Sequence, residues 1–256
     1  MQDIELEQAI EILLAHTAPV SDTEEVSLLN AVGRVAAEEL CAGFDNPPFD
    51  RSPLDGYTFA AVSTRTATAE RPVTLRVIAE ECAGAFFDGT VGAGECVRIM
   101  TGGAIPKGCD CVVRQEDVRE DGDTILVPFT SESYENYCYA GEDIKKGTVL
   151  IRRGQRIRAA HLAVLASEGY GAVRVYRRVR VAVASTGDEL LQPGEPLRPG
   201  KIYNSNLYLL AGRLKELGAE VTVLGSVPDD IDKAAEVIAS YADVVDVFLT
   251  SGGVSV

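Results

Sequence analysis

The sequence predicts a multidomain fold of mixed α+β and α/β class. A helical domain carries an inserted small β-rich domain and is followed by an incomplete parallel-sheet α/β domain. Three observations lead there. Helical apolar periodicity flanks a long stretch of short alternating runs rich in Pro, Gly and Asp. From residue 178 onward, strand and helix patterns alternate. The sequence then stops just after a third strand, although open α/β sheets are usually larger. The predicted boundaries are 1–44 and 146–177 for the helical domain, 45–145 for the β-rich domain and 178–256 for the α/β part.

Residues 2–15 place Ile4, Ala9, Ile10, Leu13 and Leu14 on one helical stripe. "EEVSLLNAVGRVAAEEL" predicts a second helix through Leu28, Val32 and Val35, weakened by about 1 kcal/mol at Gly33. From Cys41 the texture changes. Short runs such as "VTLRVIAE", "ECVRIM" and "TILVPF" read as strands, and Asp88-Gly89, Lys107-Gly108 and Asp121-Gly122 read as turns between them. Helical pattern returns at "AAHLAVLASEGYGAV" and packs back on the N-terminal helices, so the β-rich segment is an insertion.

In the last part, "RVRVAVAS", "EVTVLGSV" and "VVDVFLT" are strands, the third reading as central. "NSNLYLLAGRLKELG" is a helix capped near Asn204 or Ser205 and stopped by Gly218. "DDIDKAAEVIASYA" is a helix with an acidic first turn. Crossover helices of this length imply parallel pairing. With three strands only, the chain reads as part of a longer one.

Composition narrows function. The formal charge of −15 repels nucleic acid and anionic membranes. The one basic cluster, "IRRGQRIR", reads as a solvated turn and helix start. No apolar run approaches the roughly 18 residues of a membrane span, and the acidic, helical N-terminus is unlike a signal peptide. The six cysteines, Cys41, Cys82, Cys96, Cys109, Cys111 and Cys138, form no CxxC pair and read as free thiols of a cytoplasmic protein. His16 and His161 read as structural.

Several polar loops are candidate sites. "FDRSPLDGYTF" sets Asp55, with Asp45 and Asp50 near it, on a stiff loop. It is either an Asp-Gly turn or a carboxylate held for a cation. "RIMTGGAIPKGCD" leads a strand into Thr101-Gly102-Gly103, either a tight turn or an anion cradle of backbone N–H groups, with Arg98 as a further candidate. Glu116, Asp117, Glu142 and Asp143 suit either Mg²⁺ or an acidic surface. "VASTGDEL" ends a strand in Ser185, Thr186 and Gly187, followed by Asp188 and Glu189. Ligands of open α/β sheets sit at such carboxyl ends. Asp229 and Asp230 follow the second strand as ligand groups or helix caps, and Ser251, Gly252 and Gly253 follow the third. Together these loops read as one crevice for a phosphorylated small molecule. No Ser-His-Asp or Cys-His arrangement is evident.

The stretches "FDRSPLDGY", "RIMTGGAIPKGCDCVVRQED", "GEDIKKGTVL", "STGDELLQPGEPLRPGKIYNSN" and "SGGVSV", in this order and spacing, resemble the MoeA/gephyrin E-domain family, the molybdopterin molybdotransferases. The resemblance covers nearly the whole chain. It implies Mg²⁺-dependent insertion of molybdenum, from molybdate, into adenylylated molybdopterin with release of AMP. It implies a homodimer, contacts with other molybdenum cofactor biosynthesis proteins, and a molybdopterin-binding-like α/β domain followed by a C-terminal β-barrel. By motif, Asp55, Thr101 and Asp143 are the implied catalytic residues. Glu189 lies on the pterin side with Asp229 or Asp230, and Asp55, Asp143 and Glu189 are the implied Mg²⁺ carboxylates. In the family "GGVS" continues into Gly-Asp, so the third loop reads as a severed site. Two departures stand out. Ser52-Pro53-Leu54-Asp55-Gly56 replaces Ser-Ala-Met-Asp-Gly, and Tyr137-Cys138-Tyr139 stands where the family carries arginines before "GEDI". A tungstate-preferring relative, or a non-catalytic pterin-binding or scaffold paralogue, is the alternative.

Overall fold

The computed structural model describes residues 4–81, 84, 86–227 and 230–252. The chain divides into two compact units. One comprises Met1–Glu39, Ile151–Ala166 and Tyr170–Val256, and the other Leu40–Leu150 with Ser167–Gly169. Among the described residues no helix is long and apolar enough to cross a membrane.

The Leu40–Leu150 unit is built on a six-stranded sheet. Its order is Cys111–Arg114, Gly56–Phe59, Glu95–Ile99, Val73–Glu81, Thr124–Val127 and Arg119–Asp121. All neighbours are antiparallel except Val73–Glu81 with Glu95–Ile99. Alternation sends Tyr57, Phe59, Leu75, Cys96, Val113 and Ile125 into one core. The Gly56–Phe59 strand, flanked on both sides, is buried along its whole length. Asp121-Gly122 closes the hairpin onto Thr124–Val127, as its turn chemistry predicts. Burial pushes the Cys96 and Cys111 thiols up to about 12, which keeps them protonated and inert.

In the other unit the first helix spans Leu6–Ala15 and buries none of its residues. The helix expected over residues 24–40 does not form. Thr23–Ser27 is a strand that pairs antiparallel with Ala172–Tyr176, followed by a short 3-10 turn over Leu28–Ala31. Two causes act together. Gly33 sits at φ +79°, which ends any helix there. Val26 also finds a β partner in Val173, distant in sequence. The later helix is likewise shorter than expected. It covers Ala159–Ser167, and the remaining apolar residues of that run enter the Ala172–Tyr176 strand.

The parallel sheet has the order Glu220–Val227, Arg180–Thr186, Val247–Ser251. The middle strand is therefore the first in sequence, not the third as expected. Its residues explain this, since Val181 to Ser185 are all buried, as a strand flanked on both sides requires. The Ser205–Glu216 helix packs Leu207 against Val181 and Val183. Its ends follow the predicted signals. Asn204 accepts from the Leu207 N–H at 3.4 Å, and Gly218 at φ +92° follows the last turn. Asp230 caps the Ile231–Tyr241 helix through the N–H groups of Asp232 and Lys233, each at 3.1 Å.

A charged clasp holds the start of this sheet. Arg177 grips Asp246 with two bonds of 2.6 and 2.9 Å and also reaches Asp22 at 3.0 Å. These bonds, with the Arg180 N–H at 2.8 Å, hold the Asp246 carboxyl far below its ordinary range. A depressed folded value means the contribution is complete above about pH 4 and fades as pH falls through the lowered value. Asp246→Asn is expected to lower the urea midpoint at neutral pH, with a disadvantage that narrows on acidification. An unchanged neutral midpoint would show that the clasp contributes nothing.

Candidate functional site

Two groups of loops gather the residues singled out from sequence, one in each compact unit. The first lies at the carboxyl ends of the parallel strands. Thr186, Glu189, Ser205, Asn206, Ser251 and Gly252 line a crevice of about 170 Å³. The backbone passes closely here. Gly187 has φ +137°, and a Cβ on it would lie 2.5 Å from the Glu189 carboxylate, which folds back over the loop. Gly252 has φ +101°, and its Cβ would lie 2.8 Å from Thr186 Oγ1. Both positions therefore demand glycine.

The loop after Glu189 is fastened back on itself. Leu190–Leu191 pairs in parallel with Ile202–Tyr203, Lys201 Nζ donates to the Asp188 carbonyl, and the Tyr203 hydroxyl donates to the Glu195 carbonyl at 2.8 Å. This returns the chain so that the Ser205–Glu216 helix begins at the crevice, and helix N-termini favour anions. A second recess of about 370 Å³, walled by Pro193, Tyr203 and Tyr208, shares Asn204 and Ser205 with the crevice.

The predicted residues have different roles here. Ser185 is fully buried. Its hydroxyl donates to the Gly225 carbonyl at 3.2 Å and accepts from Asn204 Nδ2 at 2.6 Å, so it supports the crevice from below. The Asp188 side chain is exposed to solvent. Asp230 Oδ1 is engaged by the helix it caps. Asp229 and Gly253 lie outside the described residues. Ser205 reads from sequence as a helix cap and "KIYNSN" as part of the family resemblance, and the structure adds Ser205, Asn206 and the two tyrosines to the lining.

The second group lies in the β-rich unit. Asp55 Oδ1 accepts from both the backbone N–H and the hydroxyl of Thr101, each at 2.7 Å. Those bonds, with a smaller contribution from the Arg98 charge, hold the Asp55 carboxyl below its ordinary range. The carboxylate is exposed, ionised and fixed in direction. Arg51 laces the neighbouring loops by bridging Ala104 on one side and Cys138 on the other. Its guanidinium stands 3.4 Å from Asp143, which is otherwise open to solvent. A guanidinium therefore reaches the "GEDI" loop from Arg51, which sequence spacing alone did not reveal.

The stretch that lacks arginines is itself a clasp. The Tyr137 hydroxyl donates to Asp50 at 2.6 Å, and the Ala140 N–H binds the other Asp50 oxygen at 2.8 Å. The rings of Tyr134, Tyr137 and Tyr139 pack against one another, edge-on or tilted, with centroids 5.0 to 5.7 Å apart. Asp45 accepts from the Lys146 N–H and Glu142 from the Tyr139 N–H, so both carboxylates shape loops. Glu116 and Asp117 sit in a short 3-10 turn. Among the described residues no group of three or more His, Cys, Asp or Glu side chains is placed to hold a metal. Asp55 and Asp143 belong to one compact unit and Glu189 to the other.

A parallel sheet with small-residue loops at its carboxyl ends, preceded by a β-rich insertion bearing a pinned aspartate, defines an α/β protein with a crevice at the strand ends, where the ligands of open α/β sheets sit. The chain belongs to the MoeA family. The family described as MoeA N-terminal region (domain I and II) matches residues 4–169, and the one described as probable molybdopterin binding domain matches residues 182–256. A molybdopterin molybdenumtransferase from Staphylococcus aureus is 38% identical over 231 residues, covering 90% of this chain and 55% of that protein. One of the same name from Bacillus subtilis is 38% identical over 247 residues, covering 95% and 57%. The crystal structure of a molybdopterin biosynthesis MoeA protein from Pyrococcus horikosii superposes with a TM-score of 0.88 at 35% identity, covering 98% of this chain and 64% of that one. The chain thus spans a little over half the length of the curated relatives it matches.

Proposed function

We propose that this chain serves a molybdopterin molybdotransferase, which inserts molybdenum from molybdate into adenylylated molybdopterin and releases AMP. The observation that carries the reading is the strand-end crevice with its two obligatory glycines, within a chain of the MoeA family. The N–H groups at the start of the Ser205–Glu216 helix and the small-residue loops at Thr186 and Gly252 bind phosphate oxygens. The recess beside Tyr203 and Tyr208 takes a flat ring of the same substrate. Glu189 offers its carboxylate to ring N–H groups.

Asp55 supplies a fixed negative charge, and Arg51 beside Asp143 offers a guanidinium to an oxyanion such as molybdate. Mg²⁺ fits this donor set, because it keeps several waters and needs only one or two carboxylates beside substrate phosphates. Both Thr101 bonds fall on Oδ1 of Asp55, which leaves Oδ2 for the ion. An ion held there would supply positive charge of the kind that offsets charge on phosphoryl oxygens. The protein works in the cytoplasm as a homodimer, within the set of molybdenum cofactor biosynthesis proteins. The unburied apolar residues Leu6, Leu13 and Leu14 of the first helix support self-association.

The test is binding and turnover of adenylylated molybdopterin. Saturable binding is expected, with AMP release that needs both Mg²⁺ and molybdate. Gly252→Val, which forces a side chain against Thr186, is expected to weaken binding at least about tenfold. Binding indifferent to Gly252→Val would overturn the crevice as the substrate site. Release of AMP without molybdate would overturn the transfer reaction.

A further inference from the structure

We propose a second ligand site at the opposite end of the parallel sheet, one that takes a small amphipathic carboxylate. A cavity of about 490 Å³ opens at the amino ends of the strands, where Val181 and Val247 begin their runs. It is nearly three times the volume of the strand-end crevice and falls within the range of small-molecule pockets. Its walls are apolar, formed by Val35, Val179, Val181, Leu214, Leu217 and Val247. Three of these, Val179, Leu217 and Val247, are 38%, 63% and 39% exposed among the described residues.

The charge at this cavity runs against the rest of the molecule. The chain carries −15 overall, yet among the described residues four arginines line the cavity and no carboxylate does. Two of them are neutralised nearby, Arg34 by Glu24 and Arg177 by Asp22 and Asp246. The other two are not. Arg156 donates to carbonyl oxygens, those of Gly33 at 3.1 Å and Leu217 at 3.2 Å. Arg178 donates to the Gly218 carbonyl at 3.1 Å. Among the described residues neither forms an ion pair.

Two of these carbonyls, those of Leu217 and Gly218, lie at the end of the Ser205–Glu216 helix, where a cation is favourable, and the third belongs to the turn at Gly33. The three bonds account for two N–H groups of Arg156 and one of Arg178, whereas each guanidinium has five. Two uncompensated cations over an apolar basin complement a ligand with an anionic head and an apolar body. A bulky phosphate ester would leave the apolar walls wet, while a medium-chain carboxylate covers them and meets the arginines.

Calorimetric titration of the chain with decanoate, and with neutral decanamide, tests this. Decanoate is expected to bind saturably at one site and decanamide at least about tenfold more weakly. Arg156→Gln/Arg178→Gln is expected to remove that preference, and Ala219→Trp, which fills the cavity, to abolish binding of both. Gly252→Val, at the other end of the sheet, is expected to leave decanoate binding unchanged, which separates this site from the proposed catalytic one. Circular dichroism identifies any variant that has not folded, and Arg178→Lys, which keeps the charge, then replaces the double variant and is expected to keep the preference. No decanoate binding, equal affinity for decanamide, or binding that survives Ala219→Trp would overturn the proposal.

Discussion

Gly56→Ala is expected to prevent the β-rich unit from closing its sheet. A Cβ at Gly56 would sit 1.8 Å from the Val113 carbonyl oxygen, 2.9 Å from its carbon and 3.2 Å from Arg114 Cα. All three are backbone atoms of the paired strand, so no side chain can swing aside. The strand lies between Glu95–Ile99 and Cys111–Arg114, so moving it away from one partner drives it into the other. Overpacking of a well-formed core costs about 1–3 kcal/mol where side chains can adjust, and this case is expected at or beyond the upper end. Loss of soluble protein, or a urea midpoint far below that of the parent, is the predicted readout. A midpoint close to the parent's would show that the sheet tolerates a separation its register does not allow. Asp55 immediately precedes this glycine, so the "Asp-Gly" pair combines one residue fixed by packing with one free to face solvent.

Local signals in the sequence were legible wherever a local cause decides the structure. Asn204 and Gly218 bound one helix and Asp230 starts the other, because capping acts within a few residues. The Asp121-Gly122 hairpin was legible for the same reason. What escaped depends on distant partners. Residues 24–35 carry a helical stripe, yet Val26 pairs with Val173 and Gly33 turns the chain. The central place of Arg180–Thr186 follows from sheet order, which strand patterns alone do not encode. The site was legible in the same uneven way. Thr186 and Glu189 of the first strand-end loop meet Gly252 of the third in one crevice, whereas Asp230 of the second caps its own helix instead. Ser185, which reads identically in sequence, points inward because alternation along the strand and the Asn204 amide together fix it there. The pairing of Arg51 with Asp143 crosses more than ninety residues and has no local signature. The aromatic stretch Tyr137-Cys138-Tyr139 looked like a loss of anion-binding groups, yet its tyrosine is engaged in holding Asp50.

Asp55→Asn is expected to lower molybdenum insertion by about two to three orders of magnitude while leaving stability and substrate affinity near those of the parent. The substitution keeps an oxygen where Thr101 donates its N–H and hydroxyl, so the loop retains its geometry. What it removes is the charge on the outward oxygen, the only part of Asp55 that a ligand can use. The two Thr101 bonds already lower the carboxyl's proton affinity, so the parent stays ionised well into the acid range. Asp55 therefore does not set the acid limb of the pH–rate profile, and the variant's rate is expected to be low at every pH rather than shifted along the axis. A purely structural role for the aspartate predicts the reverse, a loss of stability with little change in turnover per folded molecule. AMP release measured across pH, alongside urea unfolding of the same preparation, separates the two. Parent-like turnover in the folded asparagine variant would remove Asp55 from the reaction and leave Asp143, beside Arg51, as the carboxylate to examine.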